Sequence, residues 1–108
     1  MDFKKYQVLA ERTRPTTKTR QEELANYALG MVCEAGEAGD IIKKVVYHNH
    51  ALNDIDMKKE LGDVLWYIAN LCTVLGYSLE DVATMNIEKL KKRYPNGFNT
   101  YDSVNRVD

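Results

Sequence analysis

The chain has 108 residues, room for one domain, and 44% of them are apolar, enough for a packed core of modest size. Lys+Arg number 15 and Asp+Glu 16, a formal charge of −1. That balance excludes the basic excess of a protein that coats a nucleic acid polymer, but it leaves room for a small anion held by a few local cations. No apolar segment follows Met1-Asp2-Phe3-Lys4, and the longest uninterrupted apolar run, Val64 to Ala69, is too short to cross a bilayer. Neither a secretory signal nor a membrane span is expected.

The expected elements, in chain order, are all helical. A short first helix is predicted from Asp2 to about Arg12, followed by a basic connector from Arg12 to Arg20 containing Pro15. A long second helix runs from about Gln21 to Tyr47. His48 to Asn53 breaks the pattern, and Asn53 or Asp54 suits the cap of a third helix that ends at Gly76. Ser78 caps a fourth, with acidic residues in its first turn, and Tyr94-Pro95-Asn96-Gly97 stops it. The tail from Phe98 to Asp108 is polar and expected to be irregular. No segment alternates like a strand, so the fold class is all-α, a bundle of about four helices forming a single domain over residues 1–108. Cys33 and Cys72 are not in a C-x-x-C pair and fall inside these helices, which reads as two reduced thiols of a cytoplasmic protein.

Helical phase locates the acidic residues. In the second helix Leu24, Ala28, Met31, Ala35, Ala38, Ile42 and Val45 alternate spacings of four and three; in the third, Met57, Leu61, Val64, Ile68, Leu71 and Leu75 do the same. Each set predicts a seam facing the core. Glu34 and Glu37 precede two residues of the first seam, and Glu60 and Asp63 precede two of the second, an offset of about 100° around the helix. A lone E-x-x-E is ordinarily surface charge, but two acidic pairs in matching phase on packed helices can converge. Converging carboxylates repel unless a cation compensates them. An all-oxygen ligand set favours Mg²⁺, with Mn²⁺ as its substitute, over zinc, and the Glu-x-x-His motif of a di-iron bundle is absent. On the fourth helix Val82, Asn86, Lys89 and Arg93 share one face, offering an amide and two cations suited to a nucleotide's sugar or base and its phosphates.

These residues carry a family resemblance. Glu34-Ala35-Gly36-Glu37, then 22 intervening residues, then Glu60-Leu61-Gly62-Asp63, resembles the E-x-x-E…E-x-x-D signature of MazG-like pyrophosphohydrolases. Ala28-Leu29-Gly30, Asp63-Val64-Leu65-Trp66-Tyr67 and Lys92-Arg93-Tyr94-Pro95 agree with it, so the resemblance covers about Tyr6 to Phe98. It implies an all-α homodimer or homotetramer with sites near subunit interfaces. It also implies Mg²⁺-dependent hydrolysis of a (deoxy)nucleoside triphosphate to the monophosphate and pyrophosphate. By position, Glu34, Glu37, Glu60 and Asp63 would hold Mg²⁺, with one carboxylate, Glu37 being the first choice, directing the water. Lys89 and Arg93 would bind the phosphates, with Tyr67 and Asn86 beside the nucleoside. Where the family often has a lysine one turn before the third carboxylate, this chain has Asp56. Two alternatives stand beside this expectation: a phosphoribosyl-ATP pyrophosphohydrolase, and a non-catalytic helical dimerisation module. His48 and His50 lack partner ligands and read as an exposed loop, while Trp66 is expected in the core or an interface.

Overall fold

The computed structural model describes residues 1–16 and 18–107; Thr17 of the connector and Asp108 of the tail lie outside the described residues. Among the described residues five helices follow one another: α1 (Phe3–Glu11), α2 (Arg20–Tyr47), α3 (Asp54–Leu75), α4 (Leu79–Arg93) and α5 (Thr100–Val104). Local chemistry sets their ends. Asp2 accepts from the Lys5 amide at 2.8 Å, and Thr19 and Glu22 form a reciprocal capping box at the start of α2. The Asn53 side chain accepts from both Ile55 and Asp56 amides at 3.1 Å. Gly76, at φ 77°, takes the left-handed conformation that closes α3, with the Tyr77 amide donating to the Cys72 carbonyl at 2.8 Å. Ser78 then caps α4. The tail differs from expectation: Asn99 accepts from the Asp102 amide at 2.7 Å and nucleates the short α5, so the segment is not irregular throughout.

The short connection at 48–53 folds α2 and α3 back on each other as a helical hairpin, the most extensive packing in the molecule. α1 crosses α3, and α4 makes its main contact with α1. Ala10, Ala69, Cys72 and Leu79 form a small core where α1, α3 and the start of α4 meet, with Tyr6, Trp66 and Ile68 packed against it. Gln7 ties this region together, donating to the Tyr77 carbonyl at 2.9 Å and accepting from the Leu79 amide at 2.8 Å. The radius of gyration is 16.9 Å. A compact chain of about 100 residues has roughly 13 Å. The protomer is therefore extended, and it leaves apolar side chains on its outside, among them Leu29, Val32, Val46, Ile55 and Leu61.

The expected seam of α2 needs correction, while that of α3 holds at five of its six residues, which are half-buried. Of the α2 set, Ala38 is buried, but Ala35 and Ile42 are exposed; of the α3 set, Leu61 is 53% exposed. The side of α2 turned inward is instead the one carrying Glu23, Tyr27, Gly30 and Glu34. The rotation has a steric cause. Gly30 lacks a side chain, so the Tyr67 ring of α3 lies directly on its Cα and draws that side of α2 inward.

Candidate metal centre

Because α2 and α3 run back to back, the two acidic pairs meet near the middle of the hairpin. Glu34, Glu37 and Glu60 each place a carboxylate oxygen within 4.8 Å of the others. Glu34 and Glu60 are half-buried and Glu37 is exposed. Asp63 stands outside that group of three, yet its charge acts on Glu34. Partial burial holds the Glu34 carboxyl above its usual range, followed in effect by the charge of Asp63, a hydrogen bond with Glu60, and the charges of Glu60 and Glu37. Glu60 Oε2 is shut off from solvent and has no hydrogen-bond partner among the described residues. A buried carboxylate oxygen in that position carries a large desolvation cost, which a cation would offset. The all-oxygen donor set fits Mg²⁺, which is held by one or two carboxylates plus water and phosphate oxygens.

Aromatic side chains stand beside the carboxylates, toward the start of α2. Tyr27, Trp66 and Tyr67 form a cluster with ring centroids 5.0 Å (Trp66–Tyr67), 5.7 Å (Tyr27–Trp66) and 6.3 Å (Tyr27–Tyr67) apart. Trp66 is half-buried, and its indole N–H donates to Thr13 Oγ1 at 2.8 Å. Asn70, completely buried, donates to the carbonyls of Ala10 and Trp66. These bonds fix the register of α3 against α1 and the connector.

Sequence reasoning did not place four residues around this cluster. Glu23, with an 8% exposed side chain, pairs with Arg14 of the connector at 3.5 Å. Arg14 is therefore an internal partner of α2. Tyr27 sits beside this pair, its phenol held up first by burial, then by the charge of Glu23. Burial, and after it the charge of Asp63, raises the phenol of Tyr6 on α1 as well. The signal for Tyr27 was available: it precedes Glu34 by seven residues, two turns, and so shares its face.

Asn86, Lys89 and Arg93 share a face of α4, as the spacing predicts. α4 packs chiefly on α1, and Leu79 at its start also enters the core with Ala69 and Cys72 of α3; Asn86 and Lys89 are exposed and Arg93 is half-buried. His48 and His50 are exposed, with ring centroids 6.3 Å apart, and take no part in the acidic cluster.

Fold and site together define an all-α protein with a carboxylate-rich, cation-ready centre between two antiparallel helices. The chain belongs to the MazG nucleotide pyrophosphohydrolase domain family, whose model matches residues 21–98 and so takes in α2, α3 and α4. It is also similar to the Gene 37 protein of Mycobacterium phage L5, 36% identical over 80 residues, which is 70% of each chain. No solved structure matches. Among the described residues no helix is long and apolar enough to cross a membrane.

Proposed function

We propose that this chain hydrolyses (deoxy)nucleoside triphosphates to the monophosphate and pyrophosphate with Mg²⁺ as its cofactor and Mn²⁺ as a substitute. The observation that carries this reading is Glu60 Oε2, buried and without a hydrogen-bond partner among the described residues, within a cluster of three carboxylates. Family membership supports a nucleotide substrate. Glu34, Glu37, Glu60 and Asp63 would hold the ion, which when bound supplies charge neutralisation at the phosphates and a more acidic water. Glu37, the exposed member of the three, is the residue we assign to orient that water and take its proton at a carboxylate oxygen. Tyr67, on the aromatic flank, lies beside the nucleoside.

Lys89 and Arg93 would hold the outer phosphates and offset the charge that grows on the departing pyrophosphate, with Asn86 near the sugar or base. We assign these three residues to a site that draws on neighbouring helices, of one chain or of two paired copies. The extended protomer and its exposed Leu29, Val32, Val46 and Leu61 support a homodimer or a homotetramer. Free Cys33 and Cys72 fit the reducing cytoplasm.

Glu60→Gln tests the assignment. It keeps the side chain's size and replaces the charge, so the helical circular dichroism should stay near that of the unaltered chain. Mg²⁺ binding measured by calorimetry and triphosphate turnover should both fall by at least about 100-fold, the upper end of what loss of a supporting group costs a metal site. Turnover within threefold of the unaltered protein would remove Glu60 from the centre.

A further inference from the structure

Among the described residues two apolar features have no counterpart within the chain. Beyond α4, Phe98, Tyr101, Val104 and Val107 recur every third residue, and they are 75%, 75%, 77% and 61% exposed. Phe98 meets the Tyr94 ring at 5.3 Å between centroids, but α5 is not among the helix pairs that pack closely. A five-residue helix carrying its apolar side chains into water has little to hold it. The second feature is a cleft of about 390 Å³ where α1, α3 and the start of α4 meet. Met1, Phe3, Tyr6 and Leu65 give it apolar walls, and Asp2 and Glu80 add carboxylates.

α4 keeps these two features apart. Glu80 lies at the cleft and Arg93 at the other end of the helix, a separation of about 20 Å at 1.5 Å per residue. A second α4 lying antiparallel to the first would reverse that order and bring each arm to the other chain's cleft. Charge favours this direction. The first turn of α4 carries Glu80 and Asp81 and its last turn Lys91, Lys92 and Arg93, so antiparallel neighbours match acid to base at both ends. A parallel pair would oppose like charges.

We infer that residues 98–107 of one copy dock into the α1–α3–α4 cleft of a second copy, which returns its own arm through antiparallel α4 pairing. The exchange is isologous, with the same patch used on both partners, and its aromatic anchors are Phe98 and Tyr101. It stands on apolar surface and charge and does not depend on the catalytic reading.

Cross-linking tests it in the full chain. On a Cys33→Ser background, with Cys72 left buried, one protein carries Thr100→Cys and another Glu80→Cys, both at exposed positions that leave Phe98 and Tyr101 in place. Mixed and mildly oxidised, the two should give a disulfide-linked species of twice the 12.4 kDa chain, with positions 80 and 100 joined in its tryptic map. The yield should exceed at least tenfold that obtained when Lys58→Cys, on exposed α3, replaces Glu80→Cys. Equal yields would overturn the inference, as would a disulfide formed within one chain when both changes are placed together. Hydrogen exchange on the unaltered protein checks it without substitution. The α5 amides should be protected at high micromolar concentration and lose that protection on dilution to nanomolar; exchange at the free-peptide rate throughout would also overturn it.

Discussion

Replacing Gly30 with alanine sets a methyl group against the ring of Tyr67. A Cβ built on Gly30 would stand 2.5 Å from both Cδ1 and Cζ of that ring. Carbon atoms pack at about 3.5–4.0 Å, so the ring has to move by about 1 Å or more. It has little freedom to do so, because Trp66 lies edge-on at 5.0 Å and the almost completely buried Tyr27 at 6.3 Å. Overpacking of this kind costs roughly 1–3 kcal/mol, and the rigid surroundings place it near the upper end. Alanine returns about 1 kcal/mol through helix propensity. The net loss should be about 1–2 kcal/mol, a fall in Tm of roughly 5–10 °C for a domain of this size. Gly62→Ala is the matched control, since nothing lies within 4 Å of its Cβ, and it should gain up to about 1 kcal/mol. Thermal melts followed by circular dichroism decide the matter. If Gly30→Ala proves as stable as Gly62→Ala, Tyr67 does not rest on α2 and the rotated register described above is wrong.

Other predictions concern charge. Glu23→Gln leaves the Arg14 guanidinium, 21% exposed, facing a neutral amide, and should cost about 1–3 kcal/mol by urea denaturation; an unchanged midpoint would show the pair to be idle. The raised Glu34 carboxyl makes stability depend on pH in a definite direction. A group whose folded pKa lies above its unfolded value stabilises fully below the unfolded pKa, and that contribution is lost as pH rises through the folded one. In chelator, then, Tm should fall as pH climbs through and just above the ordinary carboxylate range, Mg²⁺ should remove the fall, and Glu34→Gln should flatten it. Asp40, held low by its hydrogen bond with Lys44, acts in the opposite sense and only at lower pH. An identical slope in Glu34→Gln would sever the link to this residue.

Much of this molecule was legible in the sequence where the signal is local. Asn53, Gly76 and Ser78 mark helix ends through bonds within a few residues, and those ends fall where predicted. The matching phase of Glu34 and Glu37 with Glu60 and Asp63 foretold a meeting of carboxylates, and three of the four do meet. The facing side of α2 was misread because apolar spacing alone cannot separate residues that face a neighbouring helix from residues left bare, such as Ala35 and Ile42. That choice turned on Gly30 and Tyr67, a contact across 37 positions of sequence. The Arg14–Glu23 pair was hidden for a similar reason: a charge in a connector carries no mark of the helix it will be folded against.

The central claim is that the hairpin carboxylates direct water to the α-phosphorus of a nucleoside triphosphate. Tyr67 flanks the acidic cluster on one side, so a nucleoside resting there would bring the phosphorus nearest the sugar to Glu34, Glu37 and Glu60. Hydrolysis in ¹⁸O-labelled water with Mg²⁺, followed by mass spectrometry of the products, tests this most directly. The account predicts label in the nucleoside monophosphate and unlabelled pyrophosphate released one-for-one with it. Nucleoside diphosphate and labelled orthophosphate as the first products would place the attack at the far end of the chain and contradict it.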